Sequence, residues 1–299
     1  MILIDEPRWP AHGSLYGHMV SDTTLWELHD AARRAGLSPL AFDHDHYDLR
    51  ADRVPDALAV GARQVHEREL VDRLRTSGIR ILPAQRAPRT HVAHHRVRER
   101  LLAMLPGQQA TVDDLLARYG ADERRYHDLR HLDEMLRTLD RLARAEGLPH
   151  PSDAEVLATA WHDAVYRGVP GQDERDSAAL AVRQLTAAGL PRPVVAEVER
   201  LVLLTIAHAA EPGDPAGTRL CDADLAILAS APGRYHVSVR DIRVEYGALD
   251  DQRWAAGRRA VLEGFLSTER LFGSPAAREW FERSARANIA DELAHLPAS

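Results

Sequence analysis

Residues 158 to 168, ATAWHDAVYRG, place His162 directly before Asp163 inside a stretch that reads as a buried, apolar helix. Two polar side chains there must find partners, because a buried polar group left unsatisfied costs about 1–3 kcal/mol and an unpaired charge costs more. With His131 and Asp224, which also lie near apolar helical faces, they offer two imidazoles and two carboxylates. That is a donor set suited to a divalent transition metal, with positions left for water and substrate. Adjacent helical residues point about 100° apart, so His162 and Asp163 would meet one ion seated over the helix edge between them. Each residue also has a structural reading. His131 could be a half-buried core histidine and His162 could bond a carbonyl. Asp222 could be an N-cap, and Asp224 could favour the positive end of the same helix.

The elements that must position these groups are well punctuated. Residues 152–168 open with Ser152 and Glu155 in capping-box spacing, carry Leu157, Ala160, Trp161, Ala164 and Val165 on one face, and stop at Gly168. A preceding helix over about 124–146 has Leu132, Met135, Leu136, Leu139 and Leu142 as its stripe, with His131 one turn before Met135. A third, RPVVAEVERLVLLTIAHAA (192–210), is apolar on all sides after Leu201, which predicts a central helix, and it carries His208 near its end.

Before these helices, short runs of two kinds alternate: ILID, TTLWELHDAARRAG, LAFD, ERELVDRLRTSG and IRIL. That alternation predicts a small α/β unit, with Gly36 and Gly78 as left-handed helix ends. The stretch PAQRAPRTH (83–91) breaks the pattern and reads as a linker. The expected organisation is a small α/β domain over residues 1–88 and an all-α domain over residues 92–299.

Composition narrows the chemistry. The basic residues are all arginine, so lysine nucleophiles and Schiff bases are excluded, and Asn288 is the one asparagine. Cys221 stands alone, which excludes an intrachain disulfide, a Cys-rich zinc site or a redox thiol pair, and suits a small buried filler. A net charge of -7 without a long basic block disfavours stable nucleic-acid binding. MILIDEPRW begins as a strand, and no segment approaches about 18 uninterrupted apolar residues, so a cytoplasmic protein away from the membrane is expected.

From about residue 120 the motifs YHDLRHL (126–132), WHDAVY (161–166), DERDSA (173–178), TIAH (205–208) and CDADLAIL (221–228) follow one another in order. IRVEYG (242–247), GRRAVLEGFL (257–266) and ARANIADEL (285–293) continue the series. In order, spacing and flanks this resembles the HD superfamily of metal-dependent phosphohydrolases, in particular an uncharacterised bacterial branch of it, over most of residues 95–299. The resemblance implies an HD-type helical domain with His131, His162, Asp163 and Asp224 as metal ligands. Asp224 is preferred to Asp222, two residues away, because the superfamily's last Asp follows Ala and precedes an apolar helical run. Asp173 stands before Glu174 where relatives often have Asn.

The implied activity is hydrolysis of a phosphate ester, a nucleotide monoester above all, by water activated on one divalent ion (Mn, Co, Ni, Fe, Zn or Mg). Asp163 would hold metal and water, Glu174 would serve as general acid or base, and His127 and His208 would bind phosphate. Glu174 could equally be a solvated loop carboxylate, and either histidine a satisfied core residue. The expected partner is a small phosphorylated substrate, and a homodimer is left open. Two rivals are a di-iron HD-type oxygenase, which needs further histidines where this chain offers only His208, and a non-catalytic nucleotide-binding regulatory module.

The first 80 residues resemble a small domain family of unknown function often fused to HD domains, through ILIDEPRWPAHG (2–13), HMVSD (18–22), DHDHYD (43–48) and GARQVHERELVDRLR (61–75). His12, His18, His44 and His46 with Asp5, Asp22 and Asp48 could build a polar pocket at strand ends, or be solvated loop residues.

Overall fold

The computed structural model describes residues 1–297. It has a small N-terminal α/β region followed by a mostly helical C-terminal part. The chain divides into two compact units, residues 1–86 with 231–240, and residues 87–230 with 241–299.

The first unit is built on one sheet of β1 (Ile2–Ile4), β2 (Trp9–Ala11), β3 (Ser14–Ser21), β4 (Phe42–Asp43), β5 (His46–Arg50) and β6 (Arg63–Gln64). Its order is β4-β5-β3-β1-β6 with β2 paired to β3, and only the β1–β6 pair is parallel. Alternation along β3 and β5 sends Met19, Tyr47 and Leu49 into a core with α1 (Leu25–Arg34) and α2 (Val54–Ala59). Leu3 and Val20 point to the opposite face, where Leu70 and Leu74 of α3 (Glu67–Thr76) cover them. Val237 joins the first core, which is why residues 231–240 group with this unit despite their distance in sequence.

Two expectations for this region need correction. IRIL forms no strand: Ile81 is buried, but its N–H donates to Asp45 Oδ2 (3.0 Å), so its backbone is satisfied outside the sheet. In LAFD only Phe42–Asp43 is strand, because Ser38 caps a short 3₁₀ turn over Pro39–Ala41. β3 and β5 are additional strands: Gly17 and His18 interrupt the apolar pattern of SLYGHMVS, whereas HYDLR does alternate, with Tyr47 and Leu49 buried, but is only five residues long. Gly36 and Gly78 do adopt positive φ at the ends of α1 and α3.

In the second unit the chain runs through α4 (Thr90–Met104), α5 (Gln109–Tyr119), α6 (Leu129–Ala145), α7 (Asp153–Trp161), α8 (Gln172–Ala187), α9 (Arg192–Leu204) and α10 (Pro215–Leu225). α11 (Pro232–Glu245) begins in the first unit's segment and ends in the second, followed by α12 (Asp251–Ser267), α13 (Pro275–Ala277) and α14 (Arg283–His295). Among the described residues no strand follows β6. α6 starts at Leu129 rather than near 124, because Asp128 is its N-cap and accepts from the Arg130 and His131 amides. The Ser152–Glu155 capping box is present at α7. α9 stops at Leu204, with Leu203 and Ile206 partly exposed, so it is not apolar-buried all round as its sequence predicts.

Candidate metal centre

α7 does not continue to Gly168; it ends at Trp161, with His162 as its C-cap. The cause is local. His162 Nδ1 donates to the Thr159 carbonyl (2.8 Å), the acceptor Asp163 N–H would use in a continuing helix. Asp163 N–H instead donates to the Tyr119 hydroxyl (3.2 Å). Freed from helical spacing, Asp163 turns back until its Oδ2 lies 3.0 Å from His162 Nε2. The bond to Thr159 fixes a proton on Nδ1, so that in the neutral ring Nε2 is the nitrogen with the lone pair.

The other two groups arrive from separate helices. His131, in the first turn of α6, has Nε2 3.3 Å from His162 Nε2 and 4.0 Å from Asp163 Oδ2. Asp224, in the last turn of α10, has Oδ1 3.4 Å from His131 Nε2 and 4.0 Å from His162 Nε2. Donors bound at about 2.0–2.2 Å to one ion sit roughly 3.0–3.5 Å apart in octahedral or tetrahedral arrangements. These separations fit that requirement with only small side-chain adjustments. His131, His162 and Asp224 also qualify together as a possible cation cage.

The electrostatics follow from the clustering. Burial opposes charge on His162, but Asp163 and Asp224 beside it push its pKa up. Burial likewise opposes the Asp163 carboxylate, yet His162 next to it holds its pKa well below the usual range. Asp224 behaves as Asp163 does, with His131 and His208 as its partners. The pocket thus favours two carboxylates with compensating positive charge among them.

His208 and His127 lie at the edge of this cluster. His208, in the left-handed region at φ 49°, bonds the second oxygen of Asp224 through Nε2 (2.9 Å). His127 Nδ1 bonds Glu245 Oε2 (2.7 Å), and its ring stacks on Tyr166 with centroids 4.2 Å apart. Burial opposes protonation of His127, but Glu245 and Asp163 raise its pKa. Glu174 is not in a loop: it lies in the first turn of α8, and its buried Oε2 has no hydrogen-bond partner. Asp222 is apart from the cluster, accepting from the Gly273 (2.7 Å) and Ser274 (2.9 Å) amides.

Sequence reasoning missed the residues that fasten this arrangement. Arg124 is buried and donates to the backbone carbonyls of His127 (3.0 Å), Asp163 (2.7 Å) and Ala164 (3.3 Å), tying the turn before α6 to the turn after α7. Ser177 Oγ accepts from Val165 N–H (3.0 Å), and Asp173 accepts from Arg167 and Val169. Asp173 and Ser177 lie within the quoted DERDSA motif, but Arg124 lies outside every quoted motif, and sequence does not show which carbonyl an arginine will reach.

Residues 2–77 match a family model described as "Protein of unknown function (DUF4031)". The match spans the whole sheet and α1 to α3. Separately, the chain is 30% identical over 150 residues to aerobactin synthase of Vibrio mimicus, a stretch that is 50% of this chain and 22% of that protein. The chain therefore spans less than a quarter of that relative's length. No solved structure matches the chain. Among the described residues no helix is long and apolar enough to cross a membrane.

Proposed function

We propose that the helical unit is a metal-dependent phosphohydrolase of the HD type, acting on a small phosphorylated compound, with nucleotide monoesters as the first candidates. The observation that carries this reading is the convergence of His131 Nε2, His162 Nε2, Asp163 Oδ2 and Asp224 Oδ1, from α6, the end of α7 and α10, within 3.0–4.0 Å of their neighbours. These four residues would hold one divalent ion. Such an ion supplies an acidified water and a Lewis acid for a phosphoryl oxygen.

The protein's own groups would do the rest. With Nδ1–H donated to Glu245, a protonated His127 has Nε2–H left to donate to a phosphoryl oxygen. His208 steadies Asp224 through its second oxygen and is the second candidate phosphate-binding residue. Glu174 remains the candidate proton carrier because a buried carboxylate oxygen without a protein partner is one that a water or substrate must satisfy. The ordered turn held by Arg124 keeps these groups in register before substrate arrives.

The test is a phosphate-release screen of the metal-depleted protein against nucleotides and sugar phosphates, with Mn²⁺, Co²⁺, Ni²⁺ and Mg²⁺ added singly. Metal-dependent release that is lost in Asp163→Ala supports the reading. No release with any metal on any phosphomonoester, from protein that binds the ion, would oppose it.

A further inference from the structure

A second set of donors lies on the sheet of the first unit. His18 of β3 is directly opposite Asp48 of β5, and His46 is two residues from Asp48 on the same strand. Period-two alternation therefore puts all three on one face, the face that carries Val20. One donor atom from each lies within 4.8 Å of the others. The side chains are 32%, 15% and 53% exposed for His18, His46 and Asp48, so the cluster opens to solvent.

What separates this cluster from an ordinary polar patch is the pair of buried carboxylates behind it. Asp5 is 4% exposed and its Oδ2 bonds His18 Nδ1 (3.0 Å), while its Oδ1 accepts from the His18 amide (2.6 Å). Asp45 is fully buried and its Oδ1 bonds His46 Nδ1 (2.8 Å), with Oδ2 held by the Ile81 amide (3.0 Å). Gly17 makes room for the first of these, since a Cβ there would stand 2.7 Å from Asp5 Oδ1. Both imidazoles are thus anchored through Nδ1, which leaves each Nε2 to face outward. A carboxylate on the far nitrogen is the arrangement that orients a metal-binding histidine and raises its basicity. His46 Nε2 already lies 3.7 Å from Asp48 Oδ1.

We propose that the first unit holds a divalent transition-metal ion of the zinc or ferrous type on His18 Nε2, His46 Nε2 and the Asp48 carboxylate, with its remaining positions open to water or an oxygen ligand. Two imidazoles and one carboxylate suit such ions better than Mg²⁺ or Ca²⁺, which favour all-oxygen sets. Asp48, the most exposed of the three, has the side-chain freedom to close the last ångström onto the ion. This assignment does not depend on the helical site.

The experiment uses Co²⁺ alone as probe, titrated into the metal-depleted full-length chain and read by its d–d absorption and by equilibrium dialysis. Wild-type protein is expected to bind one more Co²⁺ than Asp48→Asn, and His46→Gln is expected to lose the same ion. Asp48 is half-exposed, so its replacement leaves the fold intact, which circular dichroism checks. In a His131→Gln/His162→Gln background one Co²⁺ per chain should remain, weakened at least tenfold by Asp48→Asn. Identical Co²⁺ stoichiometry and spectra in wild type and Asp48→Asn would overturn the proposal and leave an ion-paired cluster only. Failure of the helical site would instead appear as loss of phosphate release with the Asp48-dependent ion still bound.

Discussion

Glu245 and His127 form a polar clasp at the edge of the helical site. Glu245 Oε2 takes His127 Nδ1 at 2.7 Å, and Oε1 accepts from the amides of Arg125, Tyr126 and His127 at 2.8–2.9 Å. One carboxylate thus shapes the turn before α6 and sets which nitrogen of His127 remains free. Glu245→Ala strips partners from three amides and a histidine, each worth about 1–3 kcal/mol when buried. A net loss of about 3 kcal/mol is expected, because part of this turn reaches water. Glu245→Gln can keep the amide contacts but loses the charge, so its stability loss should be smaller while the His127 pKa falls. Urea melts and His127 NMR titration check both; an unchanged His127 pKa in Glu245→Gln would refute the clasp.

Asp222 and Asp224 are two residues apart and do different work. Asp222 accepts from the Gly273 and Ser274 amides, whereas Asp224 faces His131, His162 and His208. Asp222→Ala should lower stability by about 2–3 kcal/mol and leave metal content unchanged. Asp224→Ala should lose the helical-site ion, and because it also takes the carboxylate partner from His131 and His208 a loss of stability should accompany it, so metal content is the deciding readout. Elemental analysis beside thermal melts separates the two. Retained metal in Asp224→Ala would remove it from the donor set.

His29 makes the first unit sensitive to acid. Burial pushes its pKa down to about 4, helped by the Arg240 charge, and its nitrogens bond the Tyr47 hydroxyl (2.8 Å) and His236 Nδ1 (2.9 Å). Below the ordinary histidine value of 6.5 the unfolded chain takes up a proton that the folded chain refuses, so stability falls with falling pH. The loss begins near pH 6.5, is complete near pH 4, and amounts to about 3 kcal/mol from the size of the shift. Denaturant unfolding across that window should show a shallower pH slope in His29→Gln. Equal slopes would mean that His29 is charged, or satisfied, in the folded state.

The sequence made some parts of this arrangement legible and hid others for physical reasons. Helices with a clear apolar stripe and a side-chain cap, such as α6 and α7, could be read to within a few residues because local chemistry decides where they begin. The end of α7 could not, because it is set by the Tyr119 hydroxyl, more than forty positions away, and by a histidine taking a backbone acceptor. β3 was hidden by Gly17 and His18 in its middle, and β5 by its length, since HYDLR alternates with Tyr47 and Leu49 inward but runs only five residues. Four donor residues could be singled out, but their meeting at 3.0–4.0 Å depends on Arg124 tying two turns together.

The grouping of residues 231–240 with the first unit changes what a fragment should do. The linker at 83–91 suggests cutting there, but residues 1–86 alone lack Val237, which is 3% exposed in their core, and His236, the partner of His29. They also lack Arg240, which donates to the Phe42 carbonyl. Burying a valine contributes about 1.5–3 kcal/mol, and two buried polar groups would lose partners as well. A fragment of residues 1–86 should therefore melt at lower temperature and less cooperatively than the same unit in the full chain. Joining residues 231–245 to its C-terminus by a flexible linker should restore part of the loss. Gly233 gives a test within the full chain: a Cβ there would overlap the His44 carbonyl oxygen, so Gly233→Ala should destabilise the first unit. Hydrogen exchange at β3 and β5 amides reads this directly. Equal protection in Gly233→Ala, together with a 1–86 fragment that melts as sharply as the full chain, would show that the sheet folds without this segment.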